Sequence, residues 1–358
     1  MQLRQAALAL MAGVCAANIS RGGAEVATAP LVDATLRRYA STEHSARLPD
    51  GRAIHLVCMG RGSPTVILAS GGSGWSIAWN LVQPAVAART RACSWDRAGL
   101  GLSSPSPKPQ SVDNTTADLE AALRAGGIAG PYVMVGHSIG GLDSLLMADR
   151  NPGEVRGMVL VDPTPPRGMP ASPRPTPAID AVMGGDPLPV AFLRKCAAGL
   201  RAGTVKSGGS DPDGCLRPPP PPPSYPPELS AALSKDVAHT APEVVAQAMD
   251  NMAFYMSARL LDEDARIAAN PRRSYVAMPL IVLSAGEAGE SPLNPPAINA
   301  ELPALLVNKQ SAHEELSRLS TRGVHRVVAG SGHDIPHEKP QAVIEAILEV
   351  VDQVRTLP

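Results

Sequence analysis

The segment Val133-Met134-Val135-Gly136-His137-Ser138-Ile139-Gly140-Gly141 constrains the fold of this chain more than any other. Its apolar beginning reads as a strand. Ser138–Arg150 then reads as a helix with Leu142, Leu145 and Leu146 on one face. A strand that becomes a helix this abruptly leaves no room for side chains at Gly136 and Gly140. It also holds Ser138 on a sharp, strained turn, where the hydroxyl projects clear of the sheet. Ser138 stands at a helix N-terminus, where the dipole favours developing negative charge. A bare G-x-S-x-G is a weak pattern, and the strand before it and helix after it give it meaning.

The surrounding chain alternates in the same way. Ala53–Met59, Thr65–Ala69, Arg91–Trp95, Tyr132–Gly136, Gly157–Val161, Leu280–Ser284 and Val324–Val328 read as strands rich in Val, Ile and Leu. Helical patterns lie between many of them. Val112–Ala125 follows several capping residues, Ser311 with Glu314 reads as a capping box, and Val343, Ile347, Val350 and Val354 form a stripe in the last helix. Alternating strand and helix predicts an α/β fold, with a mostly parallel, doubly wound sheet and helices on both faces.

The alternation fails between residues 163 and 274. This stretch holds much of the heavy proline load of 37 residues, including six consecutive prolines from Pro218 to Pro223. We read it as an inserted, Pro-rich and partly helical cap between two core segments, 30–162 and 275–358. Its helix Ala241–Leu261 carries Met249, Met252 and Met256 on a stripe that packs on the core or roofs an apolar pocket. Residues 1–29 resemble a secretory signal and a short arm, with Arg4 before the apolar run Ala6–Ala17, which predicts a periplasmic or secreted protein. In an oxidising compartment Cys196 and Cys215 could close the Gly-rich loop between them. Cys58 and Cys93 lie in strand-like runs and read as buried small hydrophobes.

Net charge is −1, which excludes the basic surplus needed to bind nucleic acid. Beyond the N-terminal run, no apolar stretch is long enough to span a bilayer. Oligomeric state stays open.

Two further segments carry chemistry. Ser70-Gly71-Gly72-Ser73-Gly74 follows an early strand, and there the N–H of Gly72, with that of Ile139, could hold an oxyanion. Gly330-Ser331-Gly332-His333 follows the last strand. A Ser hydroxyl needs a base, and His333 on a strand-end loop suits that role. Pro336 disfavours a regular helix joining His333 and His337, so a two-His metal face is not expected. His137 reads as pointing away from the turn, His325 as structural, and His44, His55, His239 and His313 lack supporting context.

These motifs resemble the α/β-hydrolase superfamily over roughly 45–162 and 276–358. Trp95-Asp96-Arg97-Ala98-Gly99-Leu100-Gly101-Leu102-Ser103 resembles that family's D-R-x-G-x-G-x-S turn, in which Asp96 would hold its own loop. The resemblance implies a Ser–acid–His order. The loop where the acid usually falls offers only Glu287 and Glu290. Some members carry it one strand earlier, at the position of Asp162, which is the favoured acid here. The implied activity is a serine esterase acting through an acyl-enzyme on Ser138, without metal or cofactor, on a small or medium apolar ester. Trp75, Trp79 and the cap methionines would line its pocket. Lactonase, amidase and C–C bond hydrolase activities, and a non-catalytic ligand-binding relative, are the alternatives. Arg97 would face the pocket or pair with a carboxylate.

Overall fold

The computed structural model describes residues 35–43, 45–72, 74–108, 110–166, 188–206, 209–216, 242–256, 270, 273–290 and 296–357. The leader-like segment 1–29, the proline run and Leu261 lie outside these residues.

Among the described residues seven strands form one sheet: β3 (Leu56–Met59), β4 (Thr65–Ala69), β5 (Ala92–Trp95), β6 (Tyr132–His137), β7 (Val155–Val161), β8 (Leu280–Ala285) and β9 (Gly323–Val328). Their order is β3-β5-β4-β6-β7-β8-β9, and only β3 runs antiparallel. A small hairpin of β1 (Ala46–Arg47) and β2 (Ala53–Ile54) precedes it. The expected strand Ala53–Met59 is therefore two strands, interrupted at His55.

Alternation within the strands explains how the sheet is covered. Ile67, Met134, Met158, Leu160 and Val282 point to one face, where α2 (Val112–Ala125) and α3 (Gly140–Arg150) pack through Leu119, Leu123, Leu142 and Leu145. Val66, Leu68, Val133, Val135, Val159, Val161 and Ile281 point to the other. There they meet Val86 of α1 (Gln83–Ala87) and Val343, Ile347 and Val350 of α7 (Pro340–Thr356). Burial on both faces is why these strands read as unbroken apolar runs.

Between β7 and β8 the chain forms α4 (Leu188–Arg201) and α5 (Pro242–Met256). The two pack through Cys196, Ala197, Leu200 and Ala246, with Phe192 and Met249 partly buried beside them. A disulfide joins Cys196 to Cys215 across 19 residues. The side chains of Met252 and Met256 lie outside the described residues.

Two expectations are corrected. Cys58 and Cys93 are paired residues on β3 and β5 and form a disulfide, because antiparallel register sets them directly opposite. Ser311 does not cap a helix. It lies within α6 (Pro296–Ser317), and its hydroxyl donates to Val307 O one turn back.

Peptide mapping without reductant should recover Cys58 linked to Cys93 and Cys196 linked to Cys215, with no alkylated thiol among the four. Replacing Cys196 and Cys215 with Ser should cost about 3 kcal/mol in a denaturant titration. Alkylation of native Cys58 or Cys93 would contradict the pairing.

Candidate active site

Each key residue follows the C-terminal end of a parallel strand. Ser138 follows β6, Asp162 follows β7, Gly71 follows β4, and His333 lies on the loop after β9. From β4 the chain steps outward to β5, then returns to β6 on the other side. This reversal makes the crevice where ligands bind in open α/β sheets.

The nucleophile turn is built by exclusion of side chains. A Cβ at Gly136 would meet Gly140 O at 2.3 Å, and one at Gly140 would meet Ala69 O at 2.3 Å. β6, α3 and the end of β4 approach backbone to backbone, and only glycine permits that. Ser138 takes φ 53°, the left-handed conformation that a non-glycine residue adopts only when its surroundings impose it. Its N–H donates to Val161 O (3.1 Å), and its carbonyl accepts from Thr164 N–H (2.9 Å) and Gly141 N–H (3.0 Å).

Asp162 repeats the device one strand over. Its φ is 39°, its N–H donates to Leu283 O (2.7 Å), and its side chain is 1% exposed. His333 completes the line. Its Nε2 lies 3.0 Å from Ser138 Oγ and its Nδ1 2.5 Å from Asp162 Oδ2. Asp162 Oδ1 accepts the N–H of Ala285 (3.0 Å), and Oδ2 also accepts from the Lys309 ammonium. Burial alone would raise the Asp162 pKa. The His333 hydrogen bond and the Lys309 charge outweigh it and hold the carboxyl well below the usual carboxylate range.

The structure thus brings Ser138, His333 and Asp162 together. Glu287 and Glu290 are exposed and make no contact with His333. His337 bonds to Asp334 rather than to Ser138. Contrary to expectation, His137 faces the site. Its ring lies 4.8 Å from that of His333, and its Nε2 donates to His333 O (2.9 Å). Burial, then the neighbouring His333 charge, hold His137 below the ordinary imidazole pKa, so it serves as a neutral donor that ties down the His333 loop.

The Gly-rich turn lies against the nucleophile, since a Cβ at Gly71 would come within 3.4 Å of Ser138 Cβ. Arg97 holds this turn from below. It donates to Ser70 O (2.6 Å) and Gly71 O (2.9 Å) and pairs with Asp143, both side chains being 2% exposed. Burial pushes the Asp143 carboxyl up, against the opposing charge of Arg97. Asp96 accepts from Ser76 N–H and Leu102 N–H and meets His55 Nδ1 at 2.9 Å, all in the interior. It holds its own loop, as expected, and also anchors the segment after the Gly-rich turn. Trp75 is partly buried against the Asp96 loop. Trp79 is a correction: at 1% exposure it packs in the core with Val82, Val86 and Ile335 and does not line an open pocket.

No sequence motif singles out His313 or Ser284. His313 is fully buried, and burial lowers its pKa to about 4, so it is neutral. Its Nε2 must donate to Pro163 O (2.8 Å), leaving Nδ1 to accept from Ser284 Oγ (2.6 Å), which in turn accepts from His325 Nε2 (2.7 Å). This chain ties the ends of β7 and β8 to the middle of β9, and only the position of His325 within a strand hinted at it.

A sequence profile of the alpha/beta hydrolase family matches residues 66–346, and the chain belongs to that family. It is 43% identical over 83 residues to an uncharacterised protein of Schizosaccharomyces pombe, covering 23% of this chain and 16% of that protein. It is 32% identical over 103 residues to RutD of Azorhizobium caulinodans, named as a carbamate hydrolase, covering 29% and 38%. The matches therefore span less than half the length of these curated relatives. A thermophilic esterase of Thermogutta terrifontis shares the fold, with a TM-score of 0.51 and 20% identity over 87% of this chain and 98% of that one.

Two outcomes follow from the charges. Asp162 titrates lower when folded than unfolded, so its stabilisation is complete above about pH 4 and declines as pH falls through its depressed native value. Asp162→Asn should therefore flatten the fall of unfolding free energy on acidification below pH ~4. An unchanged slope would contradict the assignment. Asp143→Asn, which leaves the Arg97 charge buried, should cost about 3 kcal/mol or more in urea unfolding.

Proposed function

We propose that this chain is a serine hydrolase that cleaves carboxylic esters of small to medium apolar substrates through an acyl-enzyme on Ser138. The observation that carries the reading is the hydrogen-bonded line Ser138 Oγ–His333 Nε2, His333 Nδ1–Asp162 Oδ2, with the nucleophile held at φ 53°. Ser138 Oγ attacks the ester carbonyl while His333 takes its proton. Asp162 fixes the tautomer that leaves Nε2 free to accept, and it stabilises the imidazolium. The N–H groups of Gly72 and Ile139 would hold the oxyanion, which the approach of Gly71 to Ser138 supports. His333 then protonates the leaving alcohol, and water resolves the acyl-enzyme by the reverse steps.

In this reading α4 and α5 form the cap, and Trp75 and Met249 contribute apolar surface to the substrate site. Two disulfides support export to an oxidising compartment, periplasmic or extracellular.

Hydrolysis of p-nitrophenyl esters from acetate to octanoate tests the proposal. The purified chain should turn them over, with a chain-length preference that sizes the pocket. Ser138→Ala and His333→Gln should each lower kcat/KM by about 10⁴-fold or more. Asp162→Asn should lower it by about 10⁴-fold, because an amide misdirects the imidazole tautomer. Hydrolysis unchanged in Ser138→Ala would overturn the reading.

A further inference from the structure

The acid of this site is not alone with its histidine. The Lys309 ammonium, on α6, donates to Asp162 Oδ2 at 2.5 Å, the same oxygen that faces His333 Nδ1 at 2.5 Å. Lys309 Nζ is 3.3 Å from that ring nitrogen. A short contact between Nδ1 and a carboxylate oxygen requires a proton on Nδ1. Nδ1 and Nζ are therefore both donors, and their approach is a crowding of like donors rather than a hydrogen bond. Were Lys309 instead to donate to Nδ1, the proton would sit on Nε2, and His333 could not accept from Ser138.

Among the described residues, Asp162 and Lys309 face the Nδ1 edge of His333, His137 lies beside its ring, the Glu338 carboxylate accepts the N–H of Gly332 just before it (2.6 Å), and Asp334 follows it in the same loop, paired with His337. His137 is a neutral donor to His333 O. His313 Nδ1 is 3.8 Å from Asp162 Oδ1, but its neutral ring is committed to Ser284 and Pro163, so it brings no charge to the carboxylate. Among the described residues Lys309 is thus the cation that offsets Asp162, and its side chain is only 23% exposed.

We propose that Lys309 is a positioning residue: it pins the Asp162 carboxylate and offsets its charge, which weakens the pull of that carboxylate on a second imidazole proton. The role rests on the reading of Ser138, Asp162 and His333 as a triad. A bare carboxylate draws a second proton onto the imidazole, and an ammonium beside Nδ1 opposes that proton. The same opposition acts on the imidazolium formed in the reaction. Lys309 therefore weakens the pull of Asp162 on that proton both at rest and in the transition state.

The test is an imidazole titration by ¹H–¹⁵N NMR of the full chain, with the His333 signal assigned from His333→Gln. In Lys309→Met the His333 midpoint should rise by roughly one pH unit. Lys309→Arg, which restores the cation, should return it towards the parent value. Lys309→Gln, a polar and uncharged replacement, gives the same comparison should the Met variant not fold. Coincident midpoints in the parent and uncharged variants would overturn the proposal. The titration needs no turnover, so its failure is separate from a failure of ester hydrolysis.

Discussion

His137 pairs with Val161, and Val161 with Leu283, across three adjacent parallel strands. β6 and β7 both stop at that row, and the next residue on each takes a left-handed conformation. Ser138 and Asp162 still donate their N–H groups to the neighbouring strand, to Val161 O and Leu283 O, so the ladder holds both residues at the moment the chain turns away. A one-residue slip in either pairing would move one of them to the wrong face. The separation between nucleophile and acid is thus a property of sheet register, and His333 bridges a gap that the strands have already set.

Buried polar groups stiffen the loops that the register leaves free. Asp96 and the Arg97–Asp143 pair lie in the interior, where unpaired charge is expensive. Their bonds end on backbone, at Ser76 N–H, Leu102 N–H, Ser70 O and Gly71 O. His137 does the same for the His333 loop, and the His313–Ser284–His325 chain, through Pro163 O, for the end of β7. Each group spends side-chain polarity on holding main chain around one crevice.

The sheet and the nucleophile turn were legible because they rest on local rules. Buried parallel strands need unbroken apolar runs, and the sharp turn needs glycine at 136 and 140. The acid was legible only as a choice among Asp162, Glu287 and Glu290, since that choice depends on where two loops meet in space. Helix α6 was largely missed. Pro303 lies inside it, Val307 is 60% exposed, and it lacks the apolar stripe that marks a helix packed along one face. Lys309 sits on that helix, 147 residues from Asp162, and nothing local announces its contact. The Cys58–Cys93 bond was hidden for a similar reason. Both residues look like strand hydrophobes until antiparallel register sets them opposite one another.

If Ser138, His333 and Asp162 act as proposed, His333 makes the Ser138 hydroxyl nucleophilic. The most direct measurement is covalent labelling with a fluorophosphonate, read by intact mass and peptide mapping. A single adduct on Ser138 is expected, formed rapidly in the parent chain and strongly slowed in His333→Gln. An unlabelled parent chain, an adduct on another residue, or equal labelling in the His333 variant would contradict it.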